Sequence, residues 1–308
     1  MVDVDTFLTA VYVIVDDIVR TLPAPPAVGR AAALSPSEVV TLALFAQWRP
    51  FGGERAFYRY AAAHLRPWFP RLPHRSQYNR SLRRCHDLLV AVGQRLARRL
   101  DAVRCAYEVL DSTGVRTRNV KRRGRGWLAG QAAKGWCTRL GFFHGFTLLL
   151  AVTPQGAITG YGLSVTTTSE QARADTLLAA RQQPHPALPE AGTAASHVYL
   201  ADSGFAGRAW WQRWRAAYGA SVLTPPLGHE TGRRWPPALR RAHAGLRQII
   251  ETVNDRLLDL FGLEDERPHH LQGLRARLAA KVALHNLCLW LNVQGDRPPL
   301  AFADLIDW

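Results

Sequence analysis

Two apolar runs in this sequence end in aspartate: Ala106-Tyr-Glu-Val-Leu-Asp111-Ser and His197-Val-Tyr-Leu-Ala-Asp202-Ser-Gly. Acids are scarce around them. No Asp or Glu occurs between Ser112 and Ser169, and between Ser112 and Ile250 only Glu170, Asp175, Glu190, Asp202 and Glu230 do. Alternation of Tyr107, Val109 and Asp111 against Glu108 and Leu110 predicts a strand of about four to six residues ending at Asp111. If the two runs lie side by side in parallel, both aspartates close the same sheet edge, where ligands sit in open α/β sheets. A third acid comes from a helix that Trp235-Pro-Pro starts and Phe261-Gly262 ends. Leu246, Ile250, Val253, Leu257 and Leu260 form its core stripe, and Arg247, Glu251, Asn254 and Leu258 a second stripe at the margin. Glu251 can therefore point along the sheet edge toward both aspartates. The same spacing also suits an ordinary Arg247–Glu251 ion pair on a solvated helix.

Carboxylate oxygens without a His or Cys cluster favour Mg²⁺ or Mn²⁺ over zinc. Three such groups can hold two ions roughly 3.5–4 Å apart. Beside them lies a basic stretch, Arg116, Arg118, Lys121, Arg122, Arg123, Arg125 and Lys134, suited to a phosphate backbone; alternatively it is a basic loop with no particular partner. Arg233, Arg234 and, within the helix, Arg247 are further candidate DNA contacts; the first two adjoin Trp235, which stacks on a base or packs in the core.

The remaining bounds agree with a polyanionic partner. The 308 residues carry 39 Lys and Arg against 24 Asp and Glu, a net charge of +15, within an ordinary globular composition of 47% hydrophobic residues. Such a surplus favours nucleic acid first and an anionic membrane second. The longest nearly apolar run, Leu140 to Val152, is too short to span a bilayer, so no membrane role is expected. The N-terminal Met-Val-Asp-Val-Asp lacks the positive charge of a secretory signal. Cys85, Cys105, Cys137 and Cys288 show no ligand spacing and read as buried, reduced thiols of a cytoplasmic, nucleoid-associated protein.

Two regions are expected. Residues 1–104 read as an all-α DNA-binding domain. It has helices over Val2–Leu22, from the Ser35-Pro-Ser-Glu38 capping signal to Trp48, over Glu54–Leu65, and from His74 toward Leu100. The start of the last resembles a helix-turn-helix reader, with Gln77, Asn79, Arg80, Arg83 and Arg84 facing DNA. The alternative is a helical bundle whose arginines form a solvated face. Residues 105–308 read as a mixed α/β domain. Strands over Phe142–Thr153 and Ala157–Val165 form a hairpin, a helix from Ser169 to Arg181 follows, and strands end at Asp202 and Thr224.

Together these residues resemble the DDE transposases of bacterial insertion sequences. The fragments that carry the resemblance are Leu34-Ser-Pro-Ser-Glu-Val-Val-Thr, Leu110-Asp-Ser, Gly141-Phe-Phe-His-Gly-Phe-Thr-Leu, Leu200-Ala-Asp-Ser-Gly-Phe, Arg247-Gln-Ile-Ile-Glu-Thr-Val-Asn and the tail from Gly273 to Asn292. The resemblance implies a ribonuclease-H-like mixed sheet with flanking helices. It implies Asp111, Asp202 and Glu251 as catalytic metal ligands for two Mg²⁺ or Mn²⁺ ions per active site. It further implies binding to terminal inverted repeats, DNA cleavage and strand transfer by a homodimer pairing two ends with target DNA. Of a wider motif around Glu251 only Arg247 is present, with Ala244 and Leu258 at the usual Tyr and Lys positions. A nuclease without strand transfer, or an inactive DNA-binding protein on the same fold, is the alternative.

Overall fold

The computed structural model describes residues 1–23, 32–121, 127–183, 197–226 and 235–308. Arg122, Arg123, Arg125, Arg233 and Arg234 lie outside the described residues.

Local signals place the first helices. β1 (Val2–Asp3) leads into α1 (Val4–Val19), where the Asp3 carboxylate accepts from Thr6 N at 2.8 Å. α2 (Pro36–Phe45) opens on the expected capping box: Glu38 N donates to Ser35 Oγ (3.2 Å) and Ser35 N to Glu38 Oε2 (2.6 Å). α3 follows at Glu54–His64. The single helix expected from His74 to Leu100 is instead two, α4 (Arg75–Arg84) and α5 (His86–Arg99). Cys85 leaves helical geometry at φ −83°, ψ 10°, so that Tyr78 and Leu82 on one side and Leu88, Leu89 and Leu96 on the other all reach the core.

The sheet departs from expectation in its first strand. β2 runs from Glu108 to Asn119 rather than stopping at Asp111, because β4 (Gly141–Val152) pairs antiparallel with it from Val109↔Val152 to Asn119↔Phe143. Arg116 and Arg118 are thus strand residues, not loop residues. β3 (Ala133–Cys137), unforeseen in the sequence, and β5 (Ile158–Val165) share the outer edge of β4. On the other side of β2 come the parallel strands β6 (Val198–Leu200) and β7 (Ser221–Leu223), giving the order β3-β4-β2-β6-β7. α6 (Glu170–Ala180) and α7 (Arg208–Tyr218) cover one face, where Leu110, Leu149, Tyr199 and Trp214 pack. The opposite face, with Val109, Leu148 and Leu150, packs into a larger core shared with α8 (Pro237–Asp255) and α9 (Leu271–Gln294). This is a ribonuclease-H-like mixed sheet flanked by helices, preceded by the helical region α1–α5.

Two buried devices fix the sheet near Asp111. Arg181 Nη1 donates to Glu108 Oε2 (2.6 Å) and Tyr199 Oη (2.9 Å), and its Nη2 to Thr159 Oγ1 (2.8 Å). The side chains of Arg181 and Glu108 are 2% and 0% exposed, so this ion pair ties α6, β2, β5 and β6 from inside. α9 is buried around most of its girth. Asn286 Nδ2 donates to the carbonyls of Gly93 in α5 and Ile158 in β5, both at 2.9 Å, and joins helical region to sheet. β8 (Ile306–Asp307) pairs with β1. Among the described residues, no helix is long and apolar enough to cross a membrane. All four cysteines are free; Cys85 and Cys288 are buried, while Cys105 and Cys137 are only half-buried, against expectation.

Candidate active site

The parallel register Glu108↔Tyr199 and Val109↔Leu200, extended by two residues, sets Asp111 level with Asp202. β6 stops at Leu200, two residues short of the expected end, and Asp202 instead caps a 3₁₀ turn at Ser203–Phe205, its Oδ1 accepting from Gly204 N at 2.8 Å. α8 brings the third acid. Leu246 is 46% exposed rather than buried, and His243, Ile250, Val253 and Leu257 form the stripe that packs. His243 Nε2 donates to the Leu223 carbonyl (3.3 Å), anchoring α8 beside β7. The marginal stripe then faces β2: Arg247 Nη2 stands 3.6 Å from Asp111 Oδ1, and Asn254 Nδ2 donates to Asp111 Oδ2 at 3.4 Å. Arg247 therefore pairs with Asp111 rather than serving only as a helix neighbour of Glu251, which is exposed. A π-helical turn, Arg256–Leu260, continues α8, and Gly262 at φ +56° ends it, as the sequence suggests.

Burial pushes the Asp111 carboxyl up to about 6; Arg247 opposes this, and the charges of Asp202 and Glu251 add to it. A fourth acid, not singled out in the sequence, joins them. Glu170, at the start of α6, is pushed up to about 7 by burial and by Asp202, with a further contribution from Asp111. It reaches the site over Gly204, where a Cβ would overlap the Glu170 carboxylate. Gln171 Nε2 holds the same turn through the Gly204 (2.8 Å) and Ala206 (3.1 Å) carbonyls. The only hint in the sequence is that Glu170 is one of five acids in a long acid-poor stretch.

The donor set consists of hard carboxylate oxygens with mutual repulsion that a divalent cation relieves, so its chemistry fits Mg²⁺ or Mn²⁺. Among the described residues, however, no group of three or more His, Cys, Asp or Glu side chains stands close enough together to hold a metal ion. Arg247 supplies the positive charge at Asp111 in this arrangement.

The other expected contacts are dispersed. Gln77 Oε1 accepts from His74 N (3.2 Å) as part of a capping box, and Asn79 Nδ2 donates to Glu54 Oε1 (2.5 Å), so both serve the helical region itself. Arg80, Arg83 and Arg84 border a cleft of about 500 Å³ completed by His86, Asp87 and, from α9, Gln272 and Arg275. Arg116 approaches Glu264 at 3.9 Å, and Lys121 is exposed beyond the end of β2. Lys134 lies on β3, its Nζ 4.5 Å from the Phe142 ring centroid. Trp235 meets the edge of His243, with centroids 5.1 Å apart, and His285 is buried with Nε2 donating to the Gly156 carbonyl at 2.8 Å.

Asp111 within β2 and Asp202 just past β6 lie level across two adjacent parallel strands of a ribonuclease-H-like sheet, with α8 packed beside Asp111. The chain belongs to the transposase DDE domain family, which matches residues 109–287 and so spans Asp111, Asp202 and Glu251. No curated protein and no solved structure matches the chain.

Proposed function

We propose that this chain is an active transposase that binds the inverted terminal repeats of its own element, cuts DNA there and joins the freed ends to target DNA. The observation that carries the reading is the register that sets Asp202 level with Asp111 on neighbouring parallel strands, with Arg247 and Asn254 of α8, the helix of Glu251, reaching the Asp111 carboxylate. Asp111, Asp202 and Glu251 would hold Mg²⁺ or Mn²⁺, two ions per site, which supply Lewis-acid stabilisation of charge at the phosphate being cut. The chain's own residues do the rest. Gly204 N orients Asp202, and Asn254 and Arg247 orient Asp111. Arg247, charged and half-buried, is placed to offset the negative charge that a phosphate brings to the carboxylates. The helical region 1–104 is the part that engages the ends, with Arg80, Arg83 and Arg84 on phosphates and residues 105–308 carrying the chemistry. Two copies pair two ends.

The test is nicking of supercoiled plasmid in Mg²⁺, followed by joining of a pre-cut end to target DNA. Asp111→Ala, Asp202→Ala and Glu251→Ala should each lower nicking by about a hundredfold or more while duplex binding persists. A variant that nicks at the wild-type rate removes its residue from the site. Nicking without joining would reduce the protein to a nuclease.

A further inference from the structure

The hairpin of β3 and β4 carries an exposed feature that the carboxylate site does not use. Register sets Trp136 opposite Phe142 and Lys134 opposite His144, and from β2 it sets Arg118 opposite His144. Cross-strand partners share a face, and alternate residues of one strand do too. Phe142, His144, Phe146, Leu148 and Leu150 therefore line one face of β4, and Leu150 is the partner of Asp111. Along this face Phe146, Leu148 and Leu150 are buried, whereas Trp136 and Phe142 are each 63% exposed. Six residues of strand separate His144 from Leu150, about 20 Å.

From this geometry we infer that Trp136 and Phe142, with Lys134, form a stacking platform for unpaired bases of the DNA strand that reaches the carboxylates. The inference rests on the DNA reading above and extends it to a single-stranded segment. Aromatic rings flanked by cations are what sequence-tolerant stacking on single strands requires. Here Lys134 Nζ already lies over the Phe142 ring, and Arg118 and His144 stand in the adjoining row. The platform lies within the acid-free stretch from Ser112 to Ser169, so the hairpin brings no carboxylate of its own against a phosphate. The hairpin is also held in place: Thr166 Oγ1 donates to the Lys134 carbonyl at 3.0 Å. A second copy of the chain is the less suited occupant, since a symmetric contact would set these same cations against each other on molecules of net charge +15.

The experiment compares binding of the full chain to labelled oligo(dT) and to a blunt duplex of equal length, by fluorescence anisotropy. Joint replacement Trp136→Ala and Phe142→Ala should weaken oligo(dT) binding about fivefold or more and leave duplex binding within about twofold. Both rings are exposed, so the core is untouched, and Trp136→Phe with Phe142→Tyr should restore the affinity. Independently of any variant, abasic residues placed in the oligonucleotide should cost the wild type a similar factor and the alanine variant nothing further. Equal loss on both probes, or no loss on either, would overturn the platform. So would intact binding accompanied by a shift from dimer to monomer in sedimentation, which would assign the face to a second copy. Failure of the wild type to bind either DNA would sink the transposase reading together with the platform.

Discussion

Asp111 is held in an environment that disfavours its charge, and this has a measurable sign. Burial pushes its carboxyl from the ordinary 3.8 up to about 6, against the opposing charge of Arg247. A carboxyl raised on folding binds its proton more tightly in the folded state, so its contribution to stability falls as pH rises from about 4 through 6. At about 1.4 kcal/mol per unit, the cost above that window is roughly 3 kcal/mol. Asp111→Asn should therefore melt several degrees higher than wild type at pH 8 in EDTA, and the difference should vanish near pH 4. Equal melting at both values would remove the strain. Asp111 and Asp202 stand out in the sequence because each closes an apolar run in an acid-poor region, and Glu251 because it falls on the marginal stripe of its helix. Glu170 does not, since a glutamate in the first turn of a helix is already explained by the helix dipole. Its approach to the site depends on the missing side chain at Gly204, a contact across 34 positions that no local pattern encodes.

Elements follow the same division between local and distant causes. The Ser35–Glu38 capping box, the Ser169 cap of α6 and the stop at Gly262 were readable because each depends on a few adjacent residues. The length of β2 was not, because it is set by pairing with β4, and the basic residues after Asp111 suggest a loop as readily as an edge. Strand β3 escaped notice for the same reason: five residues with Gly135 at their centre have little alternation to show. The break at Cys85 reflects two packing directions, which exist only in three dimensions. The Glu108–Arg181 pair belongs to this scale, since it joins four elements beneath the carboxylates. Removing one partner leaves the other charge buried and alone, a loss of about 3–5 kcal/mol. Arg181→Met should lower the denaturant midpoint accordingly, and Glu108→Gln with Arg181→Met should recover part of it; a single variant as stable as wild type would show that the pair is dispensable.

Among the described residues, basic side chains meet at the β3–β4 hairpin, with Lys134 and Arg118, and at the cleft where α4 meets α9. The second holds Arg80, Arg83, Arg84 and Arg275 against a single acid, Asp87. Each phosphate contact contributes about 0.9 to the slope of log affinity against log salt. Arg80→Ala with Arg84→Ala should flatten that slope for duplex DNA by about 1.8, and an unchanged slope would leave the cleft as a solvated surface. Its two walls are not free to drift. α9 presses against α5 on one side and the sheet on the other, and Asn286 bonds to both. Swinging the anterior helices away from the carboxylates would peel an apolar rod into water. In the transposase proposed above, a grip taken on duplex at the cleft would be transmitted as a fixed offset to the carboxylates, and a large rearrangement while two ends are brought together would fall between protomers, not inside one.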